Sequence, residues 1–250
     1  MRIPLLAANW KMYKTPAEAR AFVVTFLENA LPTKAEVAIF PPAIDIPATL
    51  DAAKGSALRV GAQNMYFADE GAFTGEISAP MLVAAGATHV LIGHSERRQY
   101  FGETDELVNK KLHTALRYKL IPIVCVGERL EQRENGETDA VLRRQTSRAL
   151  ESIDAAQAAP IVIAYEPVWA IGTGKTATPE IAAEAHAVIR REVAQFLGKP
   201  ASEAMRILYG GSVKPDNAAQ LCAQPEIDGA LVGGASLDPA SFGKIVAAAP

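Results

Sequence analysis

The sequence contains few of the features that mark membrane, secreted or nucleic-acid-binding proteins. Only two of its 250 residues are cysteines, aromatic residues make up 6%, and the formal net charge is −3. Because this charge is small and negative, the composition predicts neither a nucleic-acid partner nor an anionic membrane partner. Any anion that the protein binds must therefore be held by local groups.

The cysteines also lack the spacing of a disulfide framework or a metal site. Cys125 lies inside an apolar run and Cys222 is distant from it, so we expect two reduced thiols in a reducing compartment. The apolar run that precedes Asn9 is too short for a signal peptide or a membrane span. These features predict a cytoplasmic protein.

What the sequence does contain is one repeated pattern. Short β-branched or apolar runs recur eight times, each followed by a polar or glycine-rich turn and then a helix-like segment. With no Ser- or Pro-rich linker between them, they predict that residues 1–250 form a single-domain α/β fold, a (β/α)₈ barrel of eight parallel strands with surrounding helices. A doubly wound open sheet is the alternative, although it ordinarily has fewer strands. The runs are Leu5 to Ala8, Val37 to Phe40, Leu58 to Ala62, His89 to Ile92, Ile121 to Val126, Ile161 to Tyr165, Arg206 to Tyr209 and Ala230 to Val232.

Three helix starts are marked by capping residues. Thr15 is followed by a proline and then by Glu18, which stands at the capping-box position. Thr178 and Asp238 each precede a proline in the same way. We therefore predict helices after all three residues, the last two covering 181–197 and 240–248.

The residues just past each run are the candidate site residues, because the carboxyl ends of all barrel strands open on one face. They supply a carboxylate, a histidine, a lysine and two glycine-rich segments able to bind an anion. No spacing among them predicts a metal site. The set comprises Asn9, Lys11, Gly93 to Glu96, Glu166, Gly210 to Ser212, Gly233 and Gly234.

The stretch Ala164 to Thr176, AYEPVWAIGTGKT, places a carboxylate beside an apolar and glycine-rich segment. Pro167 disfavours a helical backbone at Glu166 and marks the end of the strand. The apolar residues that follow, and then Gly172 to Lys175, predict a lid that closes over a ligand and excludes water. The alternative is an ordinary strand-to-helix connection whose apolar residues pack on the core.

Lys11 and His94 each have an ordinary structural interpretation as well as a functional one. A lone lysine is usually a surface residue, but Lys11 follows a strand end with Asn9 two positions before it. A lone histidine is more often a hydrogen-bonded structural residue. His94, however, precedes Ser95, a predicted N-cap, and the N-terminus of a helix disfavours a charged imidazolium. We therefore expect His94 to be neutral.

Each glycine pair alone would indicate only a turn. After the seventh and eighth strands, however, Gly210-Gly211 and Gly233-Gly234 occupy the place where this architecture commonly holds phosphate. Ser212 adds an amide and a hydroxyl to that site.

The chemistry open to these residues is narrow. No serine or cysteine is paired with a base for acyl transfer, and no dinucleotide fingerprint supports hydride transfer. What remains is abstraction of a carbon-bound proton beside a carbonyl group. Glu166 would be the base, His94 would act on the carbonyl oxygen, and Lys11 with Asn9 would stabilise the oxyanion. A small phosphorylated carbonyl compound fits such a site.

Five segments, ANWKMY, IGHSERR, AYEPVWAIGTGKT, YGGSV and GALVGGASL, resemble the triosephosphate isomerases in order and along the full chain. The resemblance implies interconversion of dihydroxyacetone phosphate and glyceraldehyde 3-phosphate in glycolysis and gluconeogenesis, through an enediolate and without a cofactor. It implies that Glu166 is the catalytic base, His94 the neutral electrophile, and Lys11 and Asn9 the oxyanion contacts. The phosphate-binding residues that it implies are Gly172, Ser212, Gly233 and Gly234.

Two other functions stay open from the residues alone. One is a different barrel enzyme acting on sugar phosphates, such as an aldolase that uses Lys11 as a Schiff-base amine. The other is a barrel that binds a phosphorylated ligand without catalysis. The least typical segments, Phe67 to Glu70 and Arg129 to Asp139, are predicted loops away from the reacting atoms.

The segment Gln63 to Ser78 is longer than most connections between a strand and a helix. Its apolar residues, which include Met65, Tyr66, Phe67 and Phe73, predict an apolar protrusion whose tip, with Thr74, is bracketed by two glycines. An Ω-loop packed on its own chain is the alternative. The resemblance instead implies a homodimer in which this segment enters the neighbouring subunit and Thr74 supports the partner's Lys11 and the partner's Asn9.

Overall fold

The structure is a computed structural model that describes residues 2–29, 33–171 and 176–249. Eight parallel strands close into a barrel in chain order, with the last strand paired to the first. The prediction of a (β/α)₈ barrel is confirmed, and the open-sheet alternative is wrong. That residues 1–250 form one domain stays a prediction. The strands are β1 Leu5–Asn9, β2 Glu36–Phe40, β3 Arg59–Ala62, β4 His89–Ile92, β5 Ile121–Val126, β6 Val162–Tyr165, β7 Arg206–Tyr209 and β8 Gly229–Val232.

Helices surround the barrel, and three short 3₁₀ helices, Ala43–Asp45, Val168–Ala170 and Gly234–Ser236, follow β2, β6 and β8. The α-helices of the described residues are α1 Pro16–Glu28, α2 Ile46–Ala52, α3 Ala79–Ala85, α4 Ser95–Tyr100, α5 Asp105–Arg117, α6 Leu130–Glu134, α7 Thr138–Ala149, α8 Pro179–Leu197, α9 Lys199–Ala204, α10 Ala218–Cys222 and α11 Pro239–Ala247.

Alternate residues of each strand face two different cores. Leu5 and Ala7 point into the barrel, whereas Leu6 and Ala8 pack outward among the helices. Because both faces of a parallel strand are buried in this way, the strands read as continuous apolar runs rather than as alternating patterns. This explains why all eight runs were recognisable in the sequence.

The predicted helix starts are confirmed. Thr15 caps α1 in a reciprocal capping box with Glu18. Thr178 Oγ1 accepts the backbone N–H of residue 181 at 3.3 Å, and Asp238 Oδ1 accepts that of residue 241 at 2.7 Å. Each helix begins at the proline that follows its cap, so α8 and α11 start one or two residues earlier than expected.

One loop prediction is wrong. The segment Arg129 to Asp139 contains α6 and the beginning of α7. Its Glu, Gln and Arg residues have high helix propensity, and Gln132 accepts the backbone N–H of Arg129 at 2.9 Å to close the first turn. Gly136, with φ of 73°, separates the two helices.

Both cysteines, Cys125 and Cys222, are free and buried, as expected for unpaired thiols. Within residues 2–29, 33–171 and 176–249, no helix has the length and apolar character needed to cross a membrane.

Candidate active site

The carboxyl ends of the strands bring the predicted site residues together around one cavity of about 380 Å³. A larger cavity of about 710 Å³ lies near the amino ends of β2, β3 and β7, away from these residues. Chemistry rather than size therefore identifies the candidate site. Gly172, which was predicted to bind phosphate, lies outside the described residues. The cavity is lined by Asn9, Lys11, His94, Glu166, Gly210, Gly211, Ser212, Gly233 and Gly234 together with neighbouring residues.

Glu166 follows β6 directly and is buried, with only 2% of its surface exposed. Its Oε2 accepts the Ser95 backbone N–H at 2.9 Å, and its Oε1 accepts the Ser95 hydroxyl at 3.1 Å. These two donors fix the position of the carboxylate, since a buried polar group needs hydrogen-bonding partners. The sequence indicated Ser95 as a helix cap and gave no sign of this contact.

Two neighbours fix the position and surroundings of Glu166. A Cβ atom at Gly127 would overlap the backbone carbonyl of Glu166, so only glycine allows the two segments to lie so close. The Cys125 thiol is completely buried beside the same carboxylate, and burial together with Glu166 raises the pKa of Cys125 well above its usual value. Cys125 is therefore a neutral thiol that adds no second charge to the site.

His94 is the N-cap of α4, so the prediction that Ser95 caps this helix is wrong. The His94 backbone is non-helical, and its Nδ1 accepts the Glu96 backbone N–H at 3.2 Å in the place of the usual cap oxygen. An acceptor at Nδ1 requires a lone pair there, which leaves the proton of the neutral ring on Nε2. The Nε2–H donor lies 3.0 Å from Glu166 Oε1.

Lys11 stands on a strained backbone beside Asn9. Its φ of 53° lies in the left-handed region, which costs a non-glycine residue free energy and persists only where the surroundings fix it. Asn9 Oδ1 accepts the Lys11 backbone N–H at 3.0 Å, and Gln63 donates to the Lys11 carbonyl at 2.8 Å. The Lys11 Nζ atom forms an ion pair with Glu96 Oε1 at 2.6 Å. Lys11 is therefore a fixed cation at the edge of the cavity.

The glycine-rich segments after β7 and β8 form the opposite side of the cavity. Gly233 and Gly234 begin the 3₁₀ helix Gly234–Ser236, and the Ser236 hydroxyl donates to the Gly233 carbonyl at 2.7 Å. The space next to Gly234 is open, with no atom within 4 Å of the place where a Cβ of residue 234 would stand. Backbone amides at such a helix start suit an anion. Gly211 is glycine for a different reason, because a Cβ atom there would overlap the Tyr209 hydroxyl.

A buried carboxylate that the sequence reasoning did not single out, Glu128, lies beneath the start of the predicted lid. Its Oε1 accepts the Tyr165 hydroxyl at 3.1 Å, the Trp169 indole N–H at 2.8 Å and Arg133 at 3.3 Å. Burial and Glu128 raise the pKa of Tyr165, so its hydroxyl stays protonated and donates. The Trp169 contact anchors the residues just after Glu166, and Ile171 lies at the edge of the cavity.

Comparison with known proteins agrees with this arrangement. The model of the triosephosphate isomerase family matches residues 4–249. The triosephosphate isomerase of Solibacter usitatus is 59% identical over 249 residues, covering 98% of this chain and 99% of that protein. Those of Moorella thermoacetica and Symbiobacterium thermophilum are 55% and 53% identical, and the alignments cover 98% and 100% of this chain and 98% of each relative. The chain therefore belongs to the triosephosphate isomerase family.

Proposed function

We propose that this protein interconverts dihydroxyacetone phosphate and D-glyceraldehyde 3-phosphate through an enediolate, without a cofactor. Membership of the family supports the reaction. The observation that carries the proposal in this chain is the convergence on one cavity of a buried carboxylate, a histidine N–H donor and a fixed cation. These are the three groups that proton transfer beside a carbonyl requires.

In the forward direction, Glu166 takes a proton from the carbon bearing the hydroxyl group of dihydroxyacetone phosphate. The electron pair of that C–H bond becomes the C=C bond of the enediolate, and the carbonyl electron pair moves onto oxygen. The His94 Nε2–H stabilises this oxygen and protonates it, while the charge of Lys11 stabilises the developing anion. His94 Nε2 then takes the proton of the hydroxyl on the first carbon, and the O–H electron pair becomes the C=O bond of the aldehyde. The C=C electron pair takes the proton back from Glu166 at the neighbouring carbon, so both residues end in their starting states.

In this mechanism Glu166 moves away from Ser95 toward the substrate. Its carboxylate accepts two hydrogen bonds from Ser95, at 2.9 and 3.1 Å. Hydrogen bonds to a charged group contribute roughly 1.5 to 3 kcal/mol each, so a bound substrate must replace these partners when the carboxylate moves. The phosphate group would bind to Ser212, Gly233 and Gly234, and Gly172 is proposed to join them from the sequence resemblance.

The two alternative functions receive less support from the geometry. A Schiff-base lysine must present a free amine to the substrate, whereas the Lys11 Nζ is held in an ion pair with the Glu96 carboxylate at 2.6 Å. A purely ligand-binding barrel gives no reason for the buried Glu166 carboxylate to meet the His94 N–H donor at 3.0 Å.

Conversion of dihydroxyacetone phosphate in D₂O tests the reaction and its route together. Proton abstraction by Glu166 predicts deuterium on carbon in the product and in recovered substrate. Conversion without any deuterium on carbon would contradict exchange of the abstracted proton with solvent during the reaction. No conversion by folded protein would reject the proposed reaction.

We also propose a homodimer formed through the segment Gln63 to Ser78, in a cytoplasmic protein whose cysteines stay reduced. The segment has no helix, and Phe73 near its tip is 42% exposed. Met65 was expected in the apolar protrusion and is instead fully buried in the core. The Tyr66 ring centroid lies 4.3 Å from that of Phe67 and 4.5 Å from that of Phe73, so the three rings pack together on their own chain. We call the segment Gln63 to Ser78 the arm.

A cavity of about 300 Å³ beside the candidate active site supports this proposal. It is lined by Asn9, Lys11, Met12, His94 and Glu96, among others. Met12, which is 93% exposed, would be covered by an arm that enters from a second copy. Such an arm would stand next to Lys11, which ties assembly to the catalytic cation.

A further inference from the structure

The segment that carries Lys11 contains a second lysine with an unusual backbone. Lys14 has φ of 77°, so two lysines within four residues occupy the left-handed region. This conformation costs a non-glycine residue free energy. It persists only where surrounding contacts fix the backbone. Asn9 and Gln63 explain the backbone of Lys11. The contacts of Lys14 must explain its own.

The Lys14 side chain reaches across to the segment that follows β8. Its Nζ donates to the Leu237 carbonyl at 2.8 Å. The same ammonium lies 5.2 Å from the ring centroid of Trp10 and 4.9 Å from that of Phe22. These three contacts hold the Lys14 ammonium in one place, because each of them limits where the side chain can lie.

Leu237 is the C-cap residue of the 3₁₀ helix that begins at Gly234. The proposed phosphate contacts lie at the start of this helix, one short turn away. Trp10 adds a second hydrogen bond between the Lys11 segment and this helix, because its buried indole N–H donates to the Ser236 carbonyl at 3.2 Å. Two residues of the Lys11 segment, Trp10 and Lys14, thus bond to two successive carbonyls at the end of the proposed phosphate-binding helix.

We propose that Lys14 is a positioning residue that fixes the phosphate-binding turn after β8 relative to Lys11. The inference rests on the proposed function, because it assigns to that turn the binding of the substrate phosphate. Lys11 and Gly233 already lie close together, with the Lys11 Cε 3.3 Å from the place where a Cβ of residue 233 would stand. A small displacement of the turn would therefore change the distance between the catalytic cation and the phosphate.

Two carboxylates lie near the partly buried Lys14 ammonium. Burial lowers the pKa of Lys14, while the carboxylates of Glu18 and Asp238 oppose that shift. Asp238 also caps α11 by accepting the Ser241 backbone N–H at 2.7 Å, so the residue after Leu237 is itself fixed. The turn at Leu237 is consequently fixed from two sides, by the hydrogen bond from Lys14 and by the start of α11.

The test compares wild type with Lys14→Met, which keeps an unbranched apolar side chain and loses the donor, and with Lys14→Arg, which keeps one. Two quantities are measured: kcat and KM for dihydroxyacetone phosphate, and the dissociation constant of inorganic phosphate by calorimetry. For Lys14→Met we expect both KM and the phosphate dissociation constant to rise about 5- to 20-fold, with kcat changed less than about 3-fold. The phosphate group is held equally in the substrate complex and in the transition state. Weaker phosphate binding therefore raises KM and leaves kcat little changed. Lys14→Arg should recover most of both constants.

Lys54→Met is the matched control, because Lys54 is an exposed lysine without a side-chain hydrogen bond or ion pair among the described residues. A merely structural role would lower the melting temperature of Lys14→Met and leave the phosphate dissociation constant of the folded protein unchanged, which would overturn the inference. If the KM and the phosphate dissociation constant of Lys14→Arg are no closer to wild type than those of Lys14→Met, the inference is overturned as well. If Lys14→Met does not fold, Lys14→Gln is measured instead, with the same criteria. The calorimetric comparison needs no turnover, so it stays decisive even if wild type lacks isomerase activity.

Discussion

His94 Nε2 and Glu166 Oε1 lie 3.0 Å apart at the ends of two strands that are not neighbours in the barrel. The proposed acid and the proposed base are therefore in direct contact with each other. In the proposed mechanism a substrate carbonyl accepts from the same His94 N–H, so binding would separate the pair. Ser95, which also holds Glu166, is the next residue in the chain after His94. One short turn after β4 thus positions both the proposed base and the proposed donor.

Replacing the carboxylate of Glu166 by an amide should remove the base and leave the rest of the site in place. Glu166→Gln keeps the volume of the side chain and an oxygen that can accept the Ser95 N–H. We expect kcat to fall by about 10² to 10⁴, the usual range for a positioned general base, with the dissociation constant of inorganic phosphate little changed. Steady-state kinetics and calorimetry measure the two effects.

Glu134→Gln is a suitable control, since Glu134 ends α6 on the surface and is not among the described residues that line the candidate site. Turnover by a clean Glu166→Gln preparation within a factor of about ten of wild type would contradict the assignment of the base.

The His94 tautomer gives a prediction that needs no mutation. Because the Glu96 N–H occupies Nδ1 at 3.2 Å, the ring nitrogen bonded to hydrogen should be Nε2. Nitrogen NMR of histidine-labelled protein at neutral pH should show one protonated and one unprotonated ring nitrogen for His94, with hydrogen coupled to Nε2. Assignment by comparison with His94→Gln identifies the signals. A doubly protonated ring at this pH would rule out a neutral His94 electrophile.

The positions that were predictable from sequence share a local cause. Strand ends follow from apolar runs, and the cap at Thr15 follows from spacing within four residues. The Ser95–Glu166 bonds join residues 71 positions apart, and no local pattern specifies such a meeting. Glu128 was a different kind of omission, because it stands just past β5 and the rule used for other strands would have selected it. The wrong N-cap at Ser95 arose because a histidine nitrogen replaced the usual cap oxygen.

Stability should depend on pH through His186, a fully buried residue of α8. Its Nδ1 bonds to the Glu226 carbonyl at 3.0 Å, and burial lowers its pKa from 6.5 to about 4. Between these values the unfolded chain binds a proton at His186 that the folded protein excludes. The free energy of unfolding should therefore fall as pH decreases from 6.5 toward 4, by roughly 3 kcal/mol from this residue, and the effect should level off below.

Urea unfolding from about pH 8 to about pH 4 measures the effect. In His186→Gln this part of the pH dependence should disappear, whereas His113→Gln, at a partly exposed histidine of α5, should keep it. A His186→Gln curve parallel to that of wild type across the whole range would show that His186 does not titrate as its burial requires.

The last prediction concerns the arm formed by Gln63 to Ser78 and the homodimer that it is proposed to make. Thr74 stands at the exposed tip between Gly71 and Gly75, whose φ values of 140° and 93° shape the turn. Thr74→Arg replaces a small side chain by a long one where the arm would enter a cavity of only about 300 Å³, so the larger side chain should not fit. Dimer affinity and turnover should therefore fall together.

Sedimentation equilibrium and turnover across one dilution series measure both quantities on the same samples. Thr25→Arg is the matched control, since Thr25 lies on the exposed face of α1 and the same change there should leave assembly intact. Because a correctly placed arm would support the partner's Lys11, activity should be lost in step with dissociation and return when Thr74→Arg is concentrated. Wild-type protein that is monomeric and fully active at every concentration would reject the proposed dimer, because a complete site in one copy leaves the arm nothing to supply.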